Sequence, residues 1–288
     1  MIFGKETLFL ERYVMKKNKK SCTDNKKIFL YQYKSINDYT ISNLEAGKVW
    51  LSSPRLFNDP YDSKLFMLED DVNKLIEYCL KNRLNLADLE TENLKQSKEY
   101  LNFFDNAKDE ILNTTEKDVF VSCFSELYKS ILMWSHYADY HKGICIKYDK
   151  KDLDNFVVRK KMHLEKVLYS LKSTITAEEY LKVLDNNSCK EEKDECSKEI
   201  VKKTVFNKNK CWKYEKEWRI VCFRDEEKVG ADGFDIELPK PVAIYMGTNI
   251  KDEDRNFIEN LCREKEIELY QMKMKKDKVE LIEKRVEL

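Results

Sequence analysis

The stretch Lys213–Val221, KYEKEWRIV, places two carboxylates and two aromatic rings directly before an apolar run. The residues Trp218–Phe223 have the alternation and composition of a β-strand. In an extended strand Glu215, Glu217 and Arg219 project from one face. A carboxylate held on a rigid strand beside an arginine can stabilise positive charge that develops on a substrate. The alternative interpretation is an edge strand that carries ordinary surface ion pairs.

The overall composition is that of a charge-rich globular protein. Its 288 residues are enough for one large domain, and 53 basic residues balance 53 acidic ones. A net charge of zero argues against a general nucleic-acid binder but leaves room for a local basic patch. The nine cysteines are scattered and odd in number, which favours reduced thiols in a cytoplasmic protein over a disulfide framework. Residues 1–20 lack the pattern of a signal peptide, and no apolar run is long enough to predict a membrane span.

Hydrophobic periodicity predicts a single α+β domain over residues 1–288. Period-two alternation and apolar runs predict strands at Ile28–Tyr33, Val49–Ser53, Val119–Ser125, Gly143–Tyr148, Trp218–Phe223, Phe234–Leu238, Val242–Met246 and Ile267–Met274. Helical spacing predicts helices at Asp38–Leu44, with Gly47 as its C-terminal stop, and at Leu127–Tyr137 and Asp252–Arg263. The charged regions 70–114 and 171–208 also have helical patterns, and we interpret them as insertions that could form a lid. Strands from both halves of the chain are expected to meet in one sheet.

The loop LFNDPYD carries polar side chains between aromatic ones. Pro60 restricts Asp59 to extended conformations, and Asn58 and Asp59 favour local turns. A turn that only fixes the loop is one interpretation. The functional one is that Asn58, Asp59 and Asp62 line a pocket and bind hydroxyls or a ring amide, because loops on a rigid sheet often bind ligands.

The densest group of polar and aromatic residues lies between Cys123 and Gly143. It holds two of the three histidines, His136 and His141, but their spacing does not match a helical zinc pair. His136 could be a buried structural histidine, or it could bind a ribose or phosphate or transfer a proton. Trp134 is expected in the core, and Ser125 lacks the flanking glycines of a nucleophile elbow. No metal ligand is predicted from this group.

The remaining motifs exclude some classes of enzyme. Neither the P-loop pattern nor the Rossmann glycine pattern is present, and six glycines make a phosphate cradle improbable. A metal-dependent nuclease needs clustered carboxylates and a lysine, and these residues could come from Asp59, Asp62, Glu215, Lys216 and Glu217. Their spacing matches no tight motif, so the nuclease stays an alternative.

Four segments together resemble a bacterial family called domain of unknown function 2971. They are YQYKSIN, LSSPRLFNDPYD, the segment from SCFSE to MWSHYADYHKGICIKYD, and WKYEKEWRIV, in this order. The resemblance covers about Ile28 to Gly247, within a family core of residues 28–250, and that family name implies no activity. The order of strands and the late ExWRI strand are also similar to ADP-ribosyltransferases, particularly the DNA-modifying and RNA phosphate-removing branches.

The second resemblance implies a split mixed or antiparallel sheet, with surrounding helices and a large helical insertion, that holds NAD in a cleft. It implies that an early-strand residue fixes the adenosine side, a middle residue contacts nicotinamide and a late glutamate binds the nicotinamide ribose. By position, Tyr33 and Lys34, with Ser35 beside them, take the first role, Tyr137 or His136 the second and Glu217 the third. Glu217, His136 and Tyr137 are therefore the candidate catalytic residues. Our candidates for binding NAD also include Asn58, Asp59, Asp62, Ser125, Trp134 and Arg219. The first strand lacks the usual histidine or arginine.

We therefore expect a cytoplasmic ADP-ribosyltransferase-like enzyme that uses NAD. Breaking the nicotinamide–ribose bond passes through an oxocarbenium-like state, which a fixed carboxylate stabilises. The expected ligand is a small nucleotide, and the acceptor could be a nucleic acid, a protein or water. The resemblance implies a bacterial toxin or phage-defence effector. The alternatives are a non-catalytic nucleotide-binding sensor and the metal-dependent nuclease.

Overall fold

The structure is a computed structural model, and it describes residues 27–83, 106, 119–170, 174–184, 189–223 and 232–288. The helices are α1 (Asp38–Ala46), α2 (Glu69–Arg83), α3 (Ile131–Tyr137), α4 (Lys150–Arg159), α5 (Ala177–Leu184), α6 (Lys190–Thr204) and α7 (Asp252–Lys265). The strands are β1 (Phe29–Lys34), β2 (Lys48–Ser52), β3 (Val119–Ser125), β4 (Ile144–Asp149), β5 (His163–Lys166), β6 (Leu168–Ser170), β7 (Asn207–Asn209), β8 (Glu217–Phe223), β9 (Gly233–Glu237), β10 (Ala243–Met246), β11 (Glu268–Met274) and β12 (Leu281–Arg285). Most of the predicted region 84–114 lies outside the described residues.

One large mixed sheet organises the fold. Its hydrogen-bonded path runs β12-β11-β10-β4-β1-β3-β2-β9, and β8 joins it along β3 and carries β5 on its other edge. All pairs in this sheet are antiparallel except β10 with β11. Strands from both halves of the chain therefore meet in one sheet.

Strand β3 is the point where the sheet divides. Along one edge it pairs with β8 over its whole length, from Val119 to Ser125. On its other edge β1 contacts it at Ser125 and β2 contacts it at Val121. The two strands thus pair with β3 at different positions along the same edge, and they diverge between Val121 and Ser125.

Two apolar clusters cover the same face of this sheet. The first, the helical cluster, packs α2, α5 and α6 onto Val121 and Val221, and it includes Val205 and Phe206 after α6. The second, the tyrosine cluster, packs α3 onto Tyr31 of β1 and includes Tyr33, Trp134 and Tyr245. The opposite face is covered by α4 and α7.

Between the two clusters, the paired strands β3 and β8 carry polar side chains on that face. Ser125 lies opposite Glu217 and Cys123 lies opposite Arg219, and the next pair in register on the same face is Val121 with Val221. Because side chains alternate along a strand, these polar residues share the face of the apolar clusters. Cys123, Ser125, Glu217 and Arg219 therefore form a strip of polar side chains between the helical cluster and the tyrosine cluster. We call this strip the polar seam.

Several predicted elements are confirmed, together with their ends. Helix α1 begins after Asn37, whose side chain accepts a hydrogen bond from the Thr40 backbone, and it ends at Gly47 in the left-handed conformation. The predicted strands are all present, with ends that differ by at most one residue. In the described part of 171–208, charged helices α5 and α6 are present, and strand β7 follows them.

Other predictions are wrong in detail. The helix predicted at Leu127–Tyr137 begins only at Ile131, because Ser130 caps it and Ser125 Oγ accepts the backbone N–H of Leu127. Glu215 is not on the strand with Glu217. It ends a 3-10 turn (Lys210–Glu215), and Lys216 follows in the left-handed conformation. Elements not predicted at all are α4, β5, β6, β7 and β12.

A search of the described residues finds no helix with the length and apolar character needed to cross a membrane.

Candidate functional site

The polar seam contains a group of five ionisable side chains that we call the charged cluster. It consists of Asp62, Lys208, Glu215, Glu217 and Arg219. Each side chain is at most 5% exposed. Buried charges are stable only when they are paired and hydrogen-bonded, so these five residues hold one another in place.

Arg219 is the centre of the hydrogen-bond network. Its guanidinium binds both oxygens of Asp62, at 2.8 and 2.7 Å, in a bidentate pair. It also binds both oxygens of Glu217, at 2.7 and 3.2 Å. The guanidinium of Arg219 also lies at hydrogen-bond distance from the Ser63 hydroxyl and the Val205 carbonyl. The planar fork of arginine fits this arrangement in a way that lysine could not.

Lys208 links the three carboxylates of the cluster. Its Nζ lies 2.8 Å from Glu215 Oε2 and 3.3 Å from oxygens of Glu217 and Asp62. Burial alone would lower the pKa of this lysine, but the carboxylates of Glu217 and Asp62 outweigh burial and raise it. Lys208 is therefore protonated at neutral pH.

The two glutamates of the cluster differ in their proton affinity. Burial raises the pKa of both, but for Glu217 the charges of Arg219 and Lys208 outweigh it and lower the pKa to about 2. For Glu215 burial dominates, and its pKa is raised although Lys208 opposes this. Tyr137 donates its phenolic hydrogen bond to Glu215 Oε1 at 2.5 Å. Two carboxylates with separated proton affinities are a recurrent arrangement in sites that use one as an anion and one as a proton carrier.

The cluster contains three carboxylates and two cations. With all five groups ionised it has one negative charge in excess, in surroundings where water is scarce. Such a place favours a ligand that carries or develops positive charge. Burial, together with the charge of Glu217, raises the pKa of Glu215 in this cluster.

A cleft of about 260 Å³ reaches the cluster from the side of the helices. Asp62 and Lys208 form its inner end, and its other lining residues are Asp59, Tyr61, Lys64, Phe66, Ser170, Thr174, Lys203, Thr204, Asn207 and Asn209. The Cys123 thiol, on the same face of the sheet, lies beside the Glu217 carboxylate, whose pKa it helps to lower. The cluster is therefore buried but borders a solvent-accessible cleft.

The structure brings together five of the predicted site residues. Asp62, Glu217 and Arg219 belong to the cluster, and Tyr137 contacts it through Glu215. Ser125 donates its hydroxyl hydrogen bond to the backbone carbonyl of Glu215 at 2.6 Å. These residues come from the NDPYD loop, β3, α3 and β8, which are far apart in the sequence.

Two further predicted residues lie at the border of this group. The amide nitrogen of Asn58 is 3.5 Å from the Tyr137 hydroxyl, and Asn58 is exposed. Asp59 lines the cleft, and its carboxylate accepts the backbone N–H of Tyr61. The turn that Asp59 forms is thus the one expected from its position before Pro60, and it also borders a cavity.

The other predicted residues are not brought to the charged cluster. Tyr33 and Trp134 pack edge to face in the tyrosine cluster, where Tyr33 donates to the Leu127 carbonyl and the Trp134 indole to the Tyr128 carbonyl. Lys34 lies three residues after Tyr31 and so on the opposite face of β1, and burial lowers its pKa. Ser35 and His136 are exposed, and the His136 ring packs against the Tyr137 ring.

Lys208 is the residue of the cluster that sequence reasoning missed. It follows a long charged helix, and its neighbours Lys203 and Lys210 gave no reason to expect that one lysine is buried. The available signal was the short apolar run Val205–Phe206 just before it, which marks the return of the chain to the core. Glu215 was noticed but was placed on the strand instead of in the turn.

No group of three or more histidine, cysteine, aspartate or glutamate side chains arranged to hold a metal ion occurs among the described residues. In the charged cluster the position between the three carboxylates is taken by the Lys208 ammonium group.

Comparison with known proteins gives one match, to the family model described as Protein of unknown function (DUF2971), over residues 133–220. The matched segment begins at the MWSHYA motif and ends in the EKEWRI stretch, so it contains α3 from Met133 onward and also Lys208, Glu215, Glu217 and Arg219. The FNDPYD motif lies outside it, and the match is shorter than the region over which the motifs resemble that family. No curated protein and no solved structure matches the chain.

Proposed function

We propose that this protein is an ADP-ribosyltransferase-like enzyme that cleaves the nicotinamide–ribose bond of NAD at the charged cluster. The observation that carries the proposal is the buried carboxylate pair, in which the pKa of Glu217 is about 2 and that of Glu215 is raised. Glycosidic bonds are commonly cleaved by two carboxyl groups with different roles. The separation of β1 and β2 along β3 supports the split-sheet fold that belongs to this proposal.

In this reaction the bond between ribose C1′ and the nicotinamide nitrogen breaks, and its electron pair leaves with neutral nicotinamide. The ribose is left as an oxocarbenium-like cation. Glu217 stays ionised at neutral pH and stabilises this cation, while Arg219 fixes the orientation of its carboxylate. The nucleophile then attacks C1′ and loses a proton. Glu215 is the better base of the pair because its pKa is raised, and in its ionised form it accepts that proton.

Tyr137 connects α3 to this chemistry. Its hydroxyl donates to Glu215, and its pKa is raised by burial and by the charge of Glu215, so it remains a donor at neutral pH. The hydrogen bond that Tyr137 donates stabilises the ionised carboxylate of Glu215 after Glu215 has released its proton. Tyr137 therefore positions and tunes Glu215 in this proposal.

The decisive experiment measures NAD consumption and nicotinamide release by the purified protein. Glu217→Gln removes the anion but keeps the shape of the side chain, so we expect a loss of about 10²- to 10³-fold in turnover. Glu264→Gln is the matched control, because Glu264 is exposed on α7, and it should keep full turnover. Full turnover by Glu217→Gln would refute its role.

Because Glu217 is buried in an ion network, its replacement could reduce the amount of folded protein. Tyr137→Phe tests the same site with a smaller change, since it removes only the hydroxyl that contacts Glu215. We expect folded protein with reduced turnover and a shifted pH profile. An unchanged pH profile would show that Glu215 and Tyr137 take no part in proton transfer.

A second candidate function is a non-catalytic nucleotide-binding sensor. It is favoured by the burial of the two glutamates. Glu215 is only 2% exposed and Glu217 only 3% exposed, which limits their contact with a substrate. A sensor predicts that NAD raises the melting temperature while no nicotinamide is released. The same preparations used for the turnover measurements distinguish the two functions.

A further inference from the structure

We propose that a second cleft, on the face of the sheet opposite the charged cluster, binds a small aromatic acid. This ligand has an apolar ring body, an anionic group at one end and a hydrogen-bonding atom at the other. The cleft has a volume of about 360 Å³ and lies between the end of α1, the end of α7 and the loop from β9 to β10. We call it the proline cleft. Because no residue of the charged cluster lines it, the proposal is independent of any reaction with NAD.

The walls of the proline cleft are apolar and held in place. They consist of aliphatic side chains from α1, β10, α7 and the β9–β10 loop, together with the two prolines of that loop: Leu44, Ile244, Leu261, Leu238, Pro239 and Pro241. The prolines restrict the backbone of the loop, and the Leu238 N–H donates to the Gly47 carbonyl at 3.0 Å, which ties the loop to the end of α1. A cleft that is formed in advance needs little ordering when a ligand enters, and its volume is within the range usual for small-molecule sites.

Tyr148 places a hydrogen-bonding group inside this apolar cleft. Its side chain is only 5% exposed, and its ring packs edge to face against Phe124 with 5.8 Å between the ring centroids. Among the described residues no group forms a hydrogen bond with the Tyr148 hydroxyl. Its oxygen is not one of the sealed, unpartnered polar atoms in that part of the chain, so it opens onto the cleft that the residue lines.

The Tyr148 hydroxyl determines what kind of ligand body fits. Burial raises the pKa of Tyr148, so the hydroxyl stays protonated at neutral pH and can donate a hydrogen bond. A ligand that offers an acceptor at this depth replaces water without leaving the hydroxyl unpaired. An acyl chain would place methylene groups against it, and a buried hydroxyl without a partner costs free energy. The cleft therefore favours a ring with a polar atom over a plain hydrocarbon chain.

The charges at the rim of the proline cleft favour an anion. Lys48, Lys240 and Lys265 line it, and no carboxylate of the described residues forms an ion pair with any of them. Glu237 is the acidic residue in the lining, and it lies opposite Lys48 in the register of β2 with β9. Lys240 and Lys265 are therefore the two positive charges that remain for a ligand.

Two helix ends limit the strength of this attraction. Helix α1 ends at the cleft with Gly47 as its cap, and α7 ends there at Lys265. The C-terminal end of a helix carries partial negative charge, which opposes an anion. The anionic group should therefore supply a modest part of the affinity, and burial of the ring against the apolar walls should supply the larger part.

The experiment measures binding of the fluorescent acid 8-anilinonaphthalene-1-sulfonate to the folded full-length protein. Ala46 is exposed and lines the cleft, so Ala46→Trp should fill the opening and weaken binding by about 10-fold or more. Ser42→Trp is the matched control, because Ser42 is exposed on the same helix but is not part of the lining, and it should bind as the unchanged protein does. Equal affinities of the two variants would overturn the proposal, as would absence of saturable binding.

A double variant tests the charge at the rim. Lys240→Gln combined with Lys265→Gln should weaken binding of the sulfonate about 2- to 10-fold, since exposed charges contribute modestly. It should leave binding of N-phenyl-1-naphthylamine unchanged, because this probe has the same rings without the sulfonate. Lys276→Gln combined with Lys278→Gln is the matched control, since both lysines are exposed and lie outside the lining. Equal losses for the charged and the neutral probe would refute the preference for an anion.

Competition against the fluorescent sulfonate tests the Tyr148 hydroxyl. The hydroxyl of 6-hydroxynaphthalene-2-carboxylate lies at the end far from its carboxylate, so this acid should compete about 2- to 12-fold better than naphthalene-2-carboxylate, the worth of one hydrogen bond. Tyr148→Phe keeps the ring that packs on Phe124 and should abolish the difference. A difference that persisted in Tyr148→Phe would refute the role of this hydroxyl. Decanoate competing better than either aromatic acid would show that the cleft takes a chain, and the proposal of a ring would be wrong.

Discussion

Replacing Arg219 by methionine tests whether the charged cluster is an energetically linked unit. The five N–H groups of the guanidinium make six contacts at hydrogen-bond distance, to Asp62, Glu217, Ser63 and the Val205 carbonyl. Methionine has a comparable length and is apolar, so it fills much of the space but leaves two buried carboxylates without their main partner. Removing one partner of a buried ion pair costs about 3–5 kcal/mol.

This loss is large against the total stability of a domain, which is about 5–15 kcal/mol. The assay is urea unfolding followed by tryptophan fluorescence. With a slope of about 3 kcal/mol per molar urea, the midpoint should fall by roughly 1–2 M. Arg219→Lys keeps the charge but loses the bidentate pair with Asp62, so it should give an intermediate midpoint.

Arg285→Met is the matched control, because Arg285 pairs with Glu268 at the surface at 3.4 Å and is 67% exposed. Exposed pairs of this kind contribute about 0–1 kcal/mol. If Arg219→Met and Arg285→Met lowered the midpoint by the same small amount, the cluster would not be a linked unit. A double variant with Asp62→Leu should lose less than the sum of the two single variants, because it leaves fewer unpaired charges.

Two further predictions concern Glu217 and Gly247. The pKa of Glu217 is lowered from its ordinary value of 4.5 to about 2 in the folded protein. The ionised carboxylate of Glu217 therefore stabilises the folded state when the pH is above the pKa that Glu217 has in the unfolded chain, and this stabilisation is lost as the pH falls towards 2. The difference in unfolding free energy between the protein and Glu217→Gln should therefore shrink between about pH 5 and pH 2, and a constant difference would contradict the assignment. A Cβ atom at Gly247 would lie 2.0 Å from the His141 carbonyl oxygen, so Gly247→Ala should destabilise the protein by about 1–3 kcal/mol or more. Gly47→Ala is its control, since a Cβ there meets no atom within 4 Å and only the left-handed backbone is strained. A smaller loss in unfolding free energy for Gly247→Ala than for Gly47→Ala would show that the backbone near His141 yields easily.

Local signals in the sequence were sufficient for much of the fold. The helix after Asn37 has its cap and its terminal glycine within a few residues of each other, so neighbouring residues alone determine its ends. Strand alternation placed Glu217 and Arg219 on one face, which the Arg219 Nε to Glu217 Oε1 hydrogen bond of 2.7 Å confirms. In both cases the deciding interactions lie close together in the sequence.

The parts that failed depend on distant contacts. Lys208 is buried among the carboxylates of Asp62, Glu215 and Glu217, and the apolar pair Val205–Phe206 before it signals a return to the core but not this ion network. Glu215 leaves the strand because Lys216 adopts a left-handed conformation, which a non-glycine residue rarely does. Tyr33 was assigned to ligand binding by position, but its ring packs against that of Trp134, whose expected place in the core is confirmed.

The bond between Arg219 and Asp62 joins residues 157 positions apart. Contacts between such distant segments close a long loop, and they form only after nearer contacts have offset part of the entropy lost in closing it. Maturation of the carboxylate pair should therefore be among the last events as the newly made chain folds. Whatever reaction these acids support would then be absent from partly folded or prematurely terminated chains.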